Sequence, residues 1–454
     1  MTLWTSAEIA RATGGTASAD FDVGGVAFDS REVGAGDLFV AMRGDTTDGH
    51  RFLDQAFAQG AAGAIVSEPC DAPHVRVADG FAALQALGRA GRDRSTARIV
   101  GVTGSVGKTS AKEALHAALD RSNQGRVHRS VESYNNHTGV PLSLARMPRD
   151  AAFGVFEMGM NHAGELAELT RMVRPHVAIV TAIASAHLEF FADEAAIADA
   201  KAEVFEGLEP GGTAIVPWDS PHRDRLLAVA RAHAGQVVTF GLDKGADVYA
   251  REAMRVASGG TFVTATLGDR ELSFTVAQPG LHWVSNALAV LAAVDALGAD
   301  LAQAGLALAE MGGLAGRGAR SVIALTGGEA LLIDESYNAN TASMRASLGV
   351  LAHEPGRHVA VLGEMRELGD RSDALHVELA EPILAARVET ALLVGEAMAP
   401  LARALEGRVD LVHVADAGTA LERLRAVIAP GDTVLVKGSN GVGLSRLVAA
   451  LGGA

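Results

Sequence analysis

The chain has 454 residues, which at about 150 per domain predicts roughly three domains, each long enough to bury its own core. Apolar residues make up 48% and aromatics 4%, the balance of parallel sheets covered by helices. The net charge of −15, without clustered Lys and Arg, excludes a nucleic-acid partner but leaves room for one anionic ligand in a locally positive pocket.

Cys70 has no partner for an internal disulfide, and no run of about 18 uncharged apolar residues occurs. The N-terminus lacks a basic start followed by an apolar core, so a soluble, unprocessed cytoplasmic protein without a membrane span is expected. The first region, 1–96, opens with a short helix at Ser6 to Ala12. Strand-like runs follow near Val23 to Phe28 and Asp37 to Met42, then helix and strand in FLDQAFAQGAAGAIV. It ends near the Arg-rich stretch GRDRSTAR.

The second region, 97–315, alternates strands and helices: IVGVTG, a helix from Lys108, FGVFEMG, a helix from Gly164, VAIVTAI, a helix across Ala195 to Gly207, and TAIVPWD. That order predicts βαβ units in a mainly parallel sheet. Short alternating strands between Val248 and Ala277 and two Ala-rich helices complete it. The third region, 316–454, alternates again through ALLIDES, a helix from Thr341, HVAVLGEM, ALLVG and DTVLVKG, a second open α/β domain. The expected class is therefore α/β, with ligands beyond the carboxyl ends of the strands and between domains.

GVTGSVGKTS, Gly101 to Ser110, joins a strand to a helix as a phosphate loop does. Thr103, Gly104, Ser105, Val106 and Gly107 would turn backbone N–H groups inward, Lys108 supplies a cation, Thr109 can ligate Mg²⁺, and Ser110 continues the cradle. Val102 stands where the common pattern has its first glycine. The loop alone fits a kinase, a GTPase-like switch or a ligase. Glu157, at the end of FGVFE, is a carboxylate able to reach Mg²⁺ beside that loop, although a lone strand-end Glu is more often solvated or capping. His187 in IASAHLEFF repeats the geometry, and alone reads as a structural histidine.

TGSVGKTS resembles the loop of the Mur ligases and folylpolyglutamate synthases, ATP-dependent enzymes that form amide bonds through an acyl phosphate. The resemblance implies three domains: a small UDP-binding α/β domain, a central P-loop ATPase-type domain and a Rossmann-like C-terminal domain. It implies Mg²⁺ on Glu157 and His187, adenine on Asn286 in LHWVSNALAVLAAV, terminal phosphate on Arg317 in GLAGRGAR, and ATP ribose on Asp334 in LLIDESYNAN. Asn338 and Asn340 follow as substrate-binding candidates, with a turn or helix cap as the plain alternative. FDSREVGAGDLFVAMRGDTTDGHRF resembles the uridine-nucleotide-binding domain of the later Mur ligases, which makes Ser30 and Arg31 candidates for the UDP-sugar end. Folylpolyglutamate synthases lack that domain.

DESYNAN and LGEMRELGDRSDALH are most similar to the branch that adds D-alanyl-D-alanine to UDP-N-acetylmuramoyl-tripeptide. No DNPR motif of the diamino-acid-adding branch occurs. Thr341 replaces the usual proline after YNAN, and VKGSNGVGLSRLV lacks the usual Arg-Met-Glu after KGS. The resemblance further implies that Lys201, in IADAKAEVFEGL, is carbamylated by CO₂ to an oxygen donor for Mg²⁺; without it, Lys201 reads as a solvated helix lysine. A monomer is expected. A P-loop regulatory ATPase, which needs no third region, and an idle UDP-sugar-binding protein, which needs no ATP, are the competing readings.

Overall fold

The computed structural model describes residues 2–44, 46–185, 188–257 and 259–452. Three substantial sheets and one small strand pair organise them. The first sheet has five strands: Gly25–Ala27, Asp37–Val40, Gly63–Val66 and His74–Arg76 run parallel, and Thr16–Ala17 closes the edge antiparallel. The opening helix, Ser6–Thr13, starts with a reciprocal capping box between Thr5 and Glu8, which satisfies two otherwise orphaned N–H groups.

GRDRSTAR, near which the first region was expected to end, begins inside a helix, because Gly80–Asp93 runs through Gly91. Two glycines of this helix are contact residues. A Cβ on Gly88 would lie 2.8 Å from Pro141 Cα, and one on Gly91 would press into the Leu144 carbonyl, so this helix lies directly against Gly139–Ala145 of the next region. Buried Arg92 adds hydrogen bonds to the Val173 and Arg174 carbonyls, at 2.7 and 2.9 Å, and an ion pair to Glu209 at 3.1 Å.

The central sheet has nine strands. Arg98–Thr103 lies between Phe153–Glu157 and Val177–Val180, and all three are parallel. Thr213–Pro217, Gln236–Gly241 and Val248–Arg255 continue the parallel order, and Thr261–Leu267 and Arg270–Val276 finish the edge antiparallel. Buried Val100, Val102 and Ile179 pack with Leu115, Leu119 and the helix Leu281–Ala296 on one face. The expected helix across Ala195 to Gly207 is α-helical over Glu194–Ala202 and tightens to 3₁₀ geometry over Glu203–Gly207.

The last sheet has six strands. Gly328–Glu335, Thr433–Lys437, His358–Gly363, Val388–Val394 and Asp410–Val414 are parallel neighbours in that order, and Ala319–Leu325 pairs antiparallel at the edge. Thr341 is the first residue of the helix Thr341–Leu351, where an N–H has no intrahelical partner. Proline and threonine are both compatible there, which explains the departure after YNAN. This sheet is tied to the central region by Glu354, whose carboxylate takes Arg255 and Arg320, both at 2.7 Å. The expected α/β class with parallel sheets is the observed one.

Candidate active site

The strand Arg98–Thr103 delivers the phosphate loop at its carboxyl end, and its two neighbours bring their own ends alongside. Glu157 pairs in register with Val102, and Val180 with Thr103. Val102 is thus a buried strand residue ahead of the turn, so the loop needs no glycine there. Gly104 and Gly107 do need to be glycine: both have positive φ, a Cβ on Gly104 would collide with Thr181 Oγ1, and one on Gly107 would lie 2.7 Å from Asn286 Oδ1. Ser105 N–H donates to the Ala182 carbonyl at 2.7 Å, and Thr181 Oγ1 donates to the Val106 carbonyl at 2.5 Å, so the adjacent strand end holds the loop.

Glu157 is buried. Its Oε2 accepts from Thr109 Oγ1 at 2.8 Å and its Oε1 from Asn135 Nδ2 at 2.7 Å. Below it, fully buried Lys112 donates to the carbonyls of Ser130 and Glu132 at 3.0 and 2.5 Å, with its Nζ 3.9 Å from Glu157 Oε2. Lys108 Nζ donates to the Gly104 carbonyl at 2.7 Å. Burial pulls the Lys108 ammonium below its ordinary pKa, Glu157 opposes the shift and Arg317 adds to it. Loop lysine, acid and arginine thus share one electrostatic neighbourhood.

Arg317 arrives from the segment before the six-stranded sheet. Its guanidinium stacks 4.2 Å over the Tyr337 ring and its Nη2 lies 3.4 Å from Ser133 Oγ. Lys437, buried at the end of its strand, donates to the Asn338 carbonyl at 3.0 Å and lies 3.4 Å from Glu335. Burial lowers its pKa against the pull of Glu335. His282 is pushed down to about 4 by burial and by Lys437. These groups face a cavity of about 690 Å³ walled by both sheets, with Ser105, Lys108, Thr109, Glu157, Asn286 and Arg317 on its surface.

Family models match most of the chain: a Mur ligase middle domain over residues 102–294, a Mur ligase glutamate ligase domain over 320–440 and a Mur ligase family catalytic domain over 22–90. The chain is 36% identical to the UDP-N-acetylmuramoyl-tripeptide–D-alanyl-D-alanine ligase of Escherichia coli (strain K12), over 95% of this chain and 94% of that enzyme. The chain belongs to the Mur ligase family. Its fold superimposes on a crystal structure of MurF from Acinetobacter baumannii with a TM-score of 0.85, 30% identity and 99% coverage of both chains. It also matches MurF from Thermotoga maritima, solved in complex with ADP, with a TM-score of 0.78, 26% identity and coverage of 94% and 97%.

In this Mur ligase the sequence candidates divide by where they fall. Those of the loop from Ser105 to Ser110, with Glu157, Asn286, Arg317, Asn338 and Asn340, line the cavity. Thr103 is buried beneath the loop, and His187 lies outside the described residues. Asp334 is turned elsewhere: it accepts from the Gly316 and Ser336 N–H groups and the Ser336 hydroxyl, at 2.7, 3.0 and 2.6 Å, and does not line the cavity. It shapes the Gly316–Arg317 turn. Asn340 accepts from Ser343 N–H at 2.9 Å as a helix cap, so both plain alternatives operate here.

Ser30 and Arg31 lie outside the cavity: Ser30 Oγ donates to Gln55 at 3.1 Å, and exposed Arg31 pairs with Asp29 at 2.5 Å. The solvated reading of Lys201 does not hold, since the side chain is 1% exposed. Burial first, and the Lys108 charge second, push its pKa well below that of an ordinary lysine. Lys112, Asn135, Ser133, Lys437 and Glu335 escaped the sequence reading. Lys112 carried a signal, one helical turn after Lys108, but nothing local shows that its ammonium is buried.

The donor set fits a hard divalent cation. The hydroxyl of Thr109 and the carboxylate of Glu157 are oxygen ligands already in contact. The cavity also fits an anion, because buried Ser105 Oγ has no hydrogen-bond partner among the described residues.

Proposed function

We propose that the chain joins D-alanyl-D-alanine to UDP-N-acetylmuramoyl-tripeptide with cleavage of ATP to ADP and phosphate, in the cytoplasmic synthesis of cell-wall precursor. The observation that carries this reading is the single cavity shared by two sheets: the phosphate loop with Glu157 on one wall, Arg317 and Lys437 on the other. Two substrates meet there after binding to different units. The named E. coli relative supports the choice of acceptor and amine. Residues 1–96 form the sugar-nucleotide unit, with Ser30 and Arg31 at the uridine end, 97–315 the ATP unit, and 316–454 the amine unit. A monomer contains all three.

The terminal phosphoryl group of ATP passes to the tripeptide's terminal carboxylate, giving an acyl phosphate and ADP. The dipeptide amine attacks the acyl carbon, and the tetrahedral intermediate collapses with phosphate as leaving group. Gly104 to Ser110 hold the phosphates through backbone N–H groups, and Lys108 and Arg317 offset charge on the migrating phosphoryl group. Asn286 abuts the loop where the base-bearing end of the nucleotide would enter. Magnesium, held by Thr109 and Glu157 together with His187, would neutralise phosphate oxygens.

Lys201 supports a further element of this reading. Its neutral amine can attack CO₂, forming a carbamate and releasing one proton, which converts a buried cation into an oxygen donor. The experiment for the whole reading is phosphate release with ATP and Mg²⁺. Turnover should need tripeptide nucleotide and dipeptide together, and equal release without the dipeptide would mark a simple ATPase.

A further inference from the structure

Ser133 and Asn135, in a segment without helix or strand at residues 130–135, stand on the cavity wall beside Glu157 and Arg317. The segment follows Val127–Arg129, the edge strand of the nine-stranded sheet. Ser133 Oγ accepts from Arg317 at 3.4 Å, and Asn135 Nδ2 donates to Glu157 Oε1 at 2.7 Å. Buried Ser130 accepts through its Oγ from the Glu157 backbone N–H at 3.1 Å. Tyr134 reaches the other way: its hydroxyl donates to Glu32 of the first region, and its ring lies 5.6 Å from that of Phe28.

Lys112 holds this segment from below. It lies on Lys108–Asn123, the helix that the phosphate loop opens, one turn after Lys108. Its side chain is fully buried and does not line the cavity. An ammonium has three protons to donate. Two go to the Ser130 and Glu132 carbonyls, at 3.0 and 2.5 Å, and Glu113 Oε1 lies 3.1 Å away, so none is left for a ligand. Glu132 has a φ of 48°, left-handed backbone that a residue with a Cβ resists, so its turn needs support from outside. The ammonium supplies that support, because a buried charge is costly to leave without acceptors.

We propose that Lys112 is a positioning residue for phosphoryl transfer: by fixing the Ser130 and Glu132 carbonyls it sets the segment 130–135, which orients Glu157 through Asn135 and meets Arg317 through Ser133. The assignment rests on the reaction proposed above, in which Glu157 holds magnesium and Arg317 serves the phosphates. Lys112 is outside the cavity, so its effect passes through those carbonyls. A direct action on Glu157 makes the opposite prediction. An ammonium 3.9 Å from Glu157 Oε2 repels a divalent cation held there, and its removal would tighten cation binding. Removal of a group that orients the ligand loosens it.

The test is Mn²⁺ binding to the full-length enzyme with a non-hydrolysable ATP analogue, followed by electron paramagnetic resonance of the free ion, with kcat and melting temperature measured beside it. Lys112→Gln keeps a hydrogen-bond donor near the two carbonyls. It is expected to weaken Mn²⁺ binding by about 10- to 100-fold, the scale of losing a group that orients a metal ligand, and to lower kcat while KM for D-alanyl-D-alanine is unchanged. Asn135→Ala should weaken binding by a similar factor, and the double variant should bind no more weakly than the worse single one, because both act through one segment. Tighter or unchanged Mn²⁺ binding in Lys112→Gln, even with a lower melting temperature, overturns the proposal, as do additive losses in the double variant. If Lys112→Gln does not fold, Asn135→Ala decides: weaker binding supports the segment's role and unchanged binding overturns it. The ligase reading stands through all of these while the native enzyme releases phosphate only with all three substrates. A native enzyme that binds no Mn²⁺ with the nucleotide overturns both.

Discussion

At the residue scale, burial takes Lys201 out of the ordinary range of lysine side chains. An ammonium at 1% exposure with Lys108 as its charged neighbour is held in an unfavourable state, and the proposed carbamylation would relieve it by changing the sign of the charge. Lys201→Ala is expected to lower kcat by about 10²-fold or more, the scale of losing one preorganised electrostatic group. A small added carboxylic acid should restore part of the rate, and unchanged kcat in the variant would remove the residue from the chemistry. Residue by residue, only the phosphate loop carries its signal within a few positions; Glu157 alone reads as a solvated or capping acid, and the roles of Glu157 and Arg317 came from the family resemblance. Lys112, Asn135 and Lys437 are not legible locally, because each acquires its partners from chain distant in sequence. Asp334 and Asn340 illustrate the reverse, since polar residues at a turn serve the backbone first.

At the scale of elements, the helix Gly80–Asp93 was obscured because its glycines suit close packing rather than helix propensity. Gly91→Ala should therefore destabilise the protein by about 1–3 kcal/mol despite alanine's better propensity, because the added methyl must push the backbone at Leu144 away. Chemical denaturation measures this, and a variant as stable as the native chain would show that the helix can shift freely. The strand Val127–Arg129 makes a second prediction. His128 Nε2 lies 2.7 Å from the Ser143 carbonyl, and burial pulls the imidazole down to about 4. The unfolded chain takes up this proton near the ordinary histidine pKa of about 6.5 while the native state does not. Stability from this group is thus complete above that value and is lost as pH falls toward 4. A melting temperature that falls over this window in the native chain, and less in His128→Gln, is the expected outcome; equal slopes would assign the loss to other groups.

For the whole molecule, the alternation of strands and helices was enough to expect open α/β sheets, but not how the units sit against one another. That depends on contacts such as Arg92 with Glu209 and Arg255 with Glu354, in which each partner alone reads as a surface charge. Glu354 takes both Arg255 and Arg320 while its side chain is 3% exposed, so Glu354→Gln leaves two guanidiniums with a neutral partner at the seam. A loss of about 1.5–3 kcal/mol, as for hydrogen bonds to charged groups, and a larger radius of gyration by small-angle scattering are expected. A native-sized, equally stable variant would show that the seam is held elsewhere. The central claim is that phosphate leaves from an acyl phosphate formed on the tripeptide, which couples ATP cleavage to amide formation. It is tested most directly by labelling the terminal carboxylate of UDP-N-acetylmuramoyl-tripeptide with heavy oxygen and analysing the released phosphate by mass spectrometry during turnover with D-alanyl-D-alanine. One labelled oxygen per phosphate is predicted, and phosphate carrying none of the carboxylate label would contradict the account.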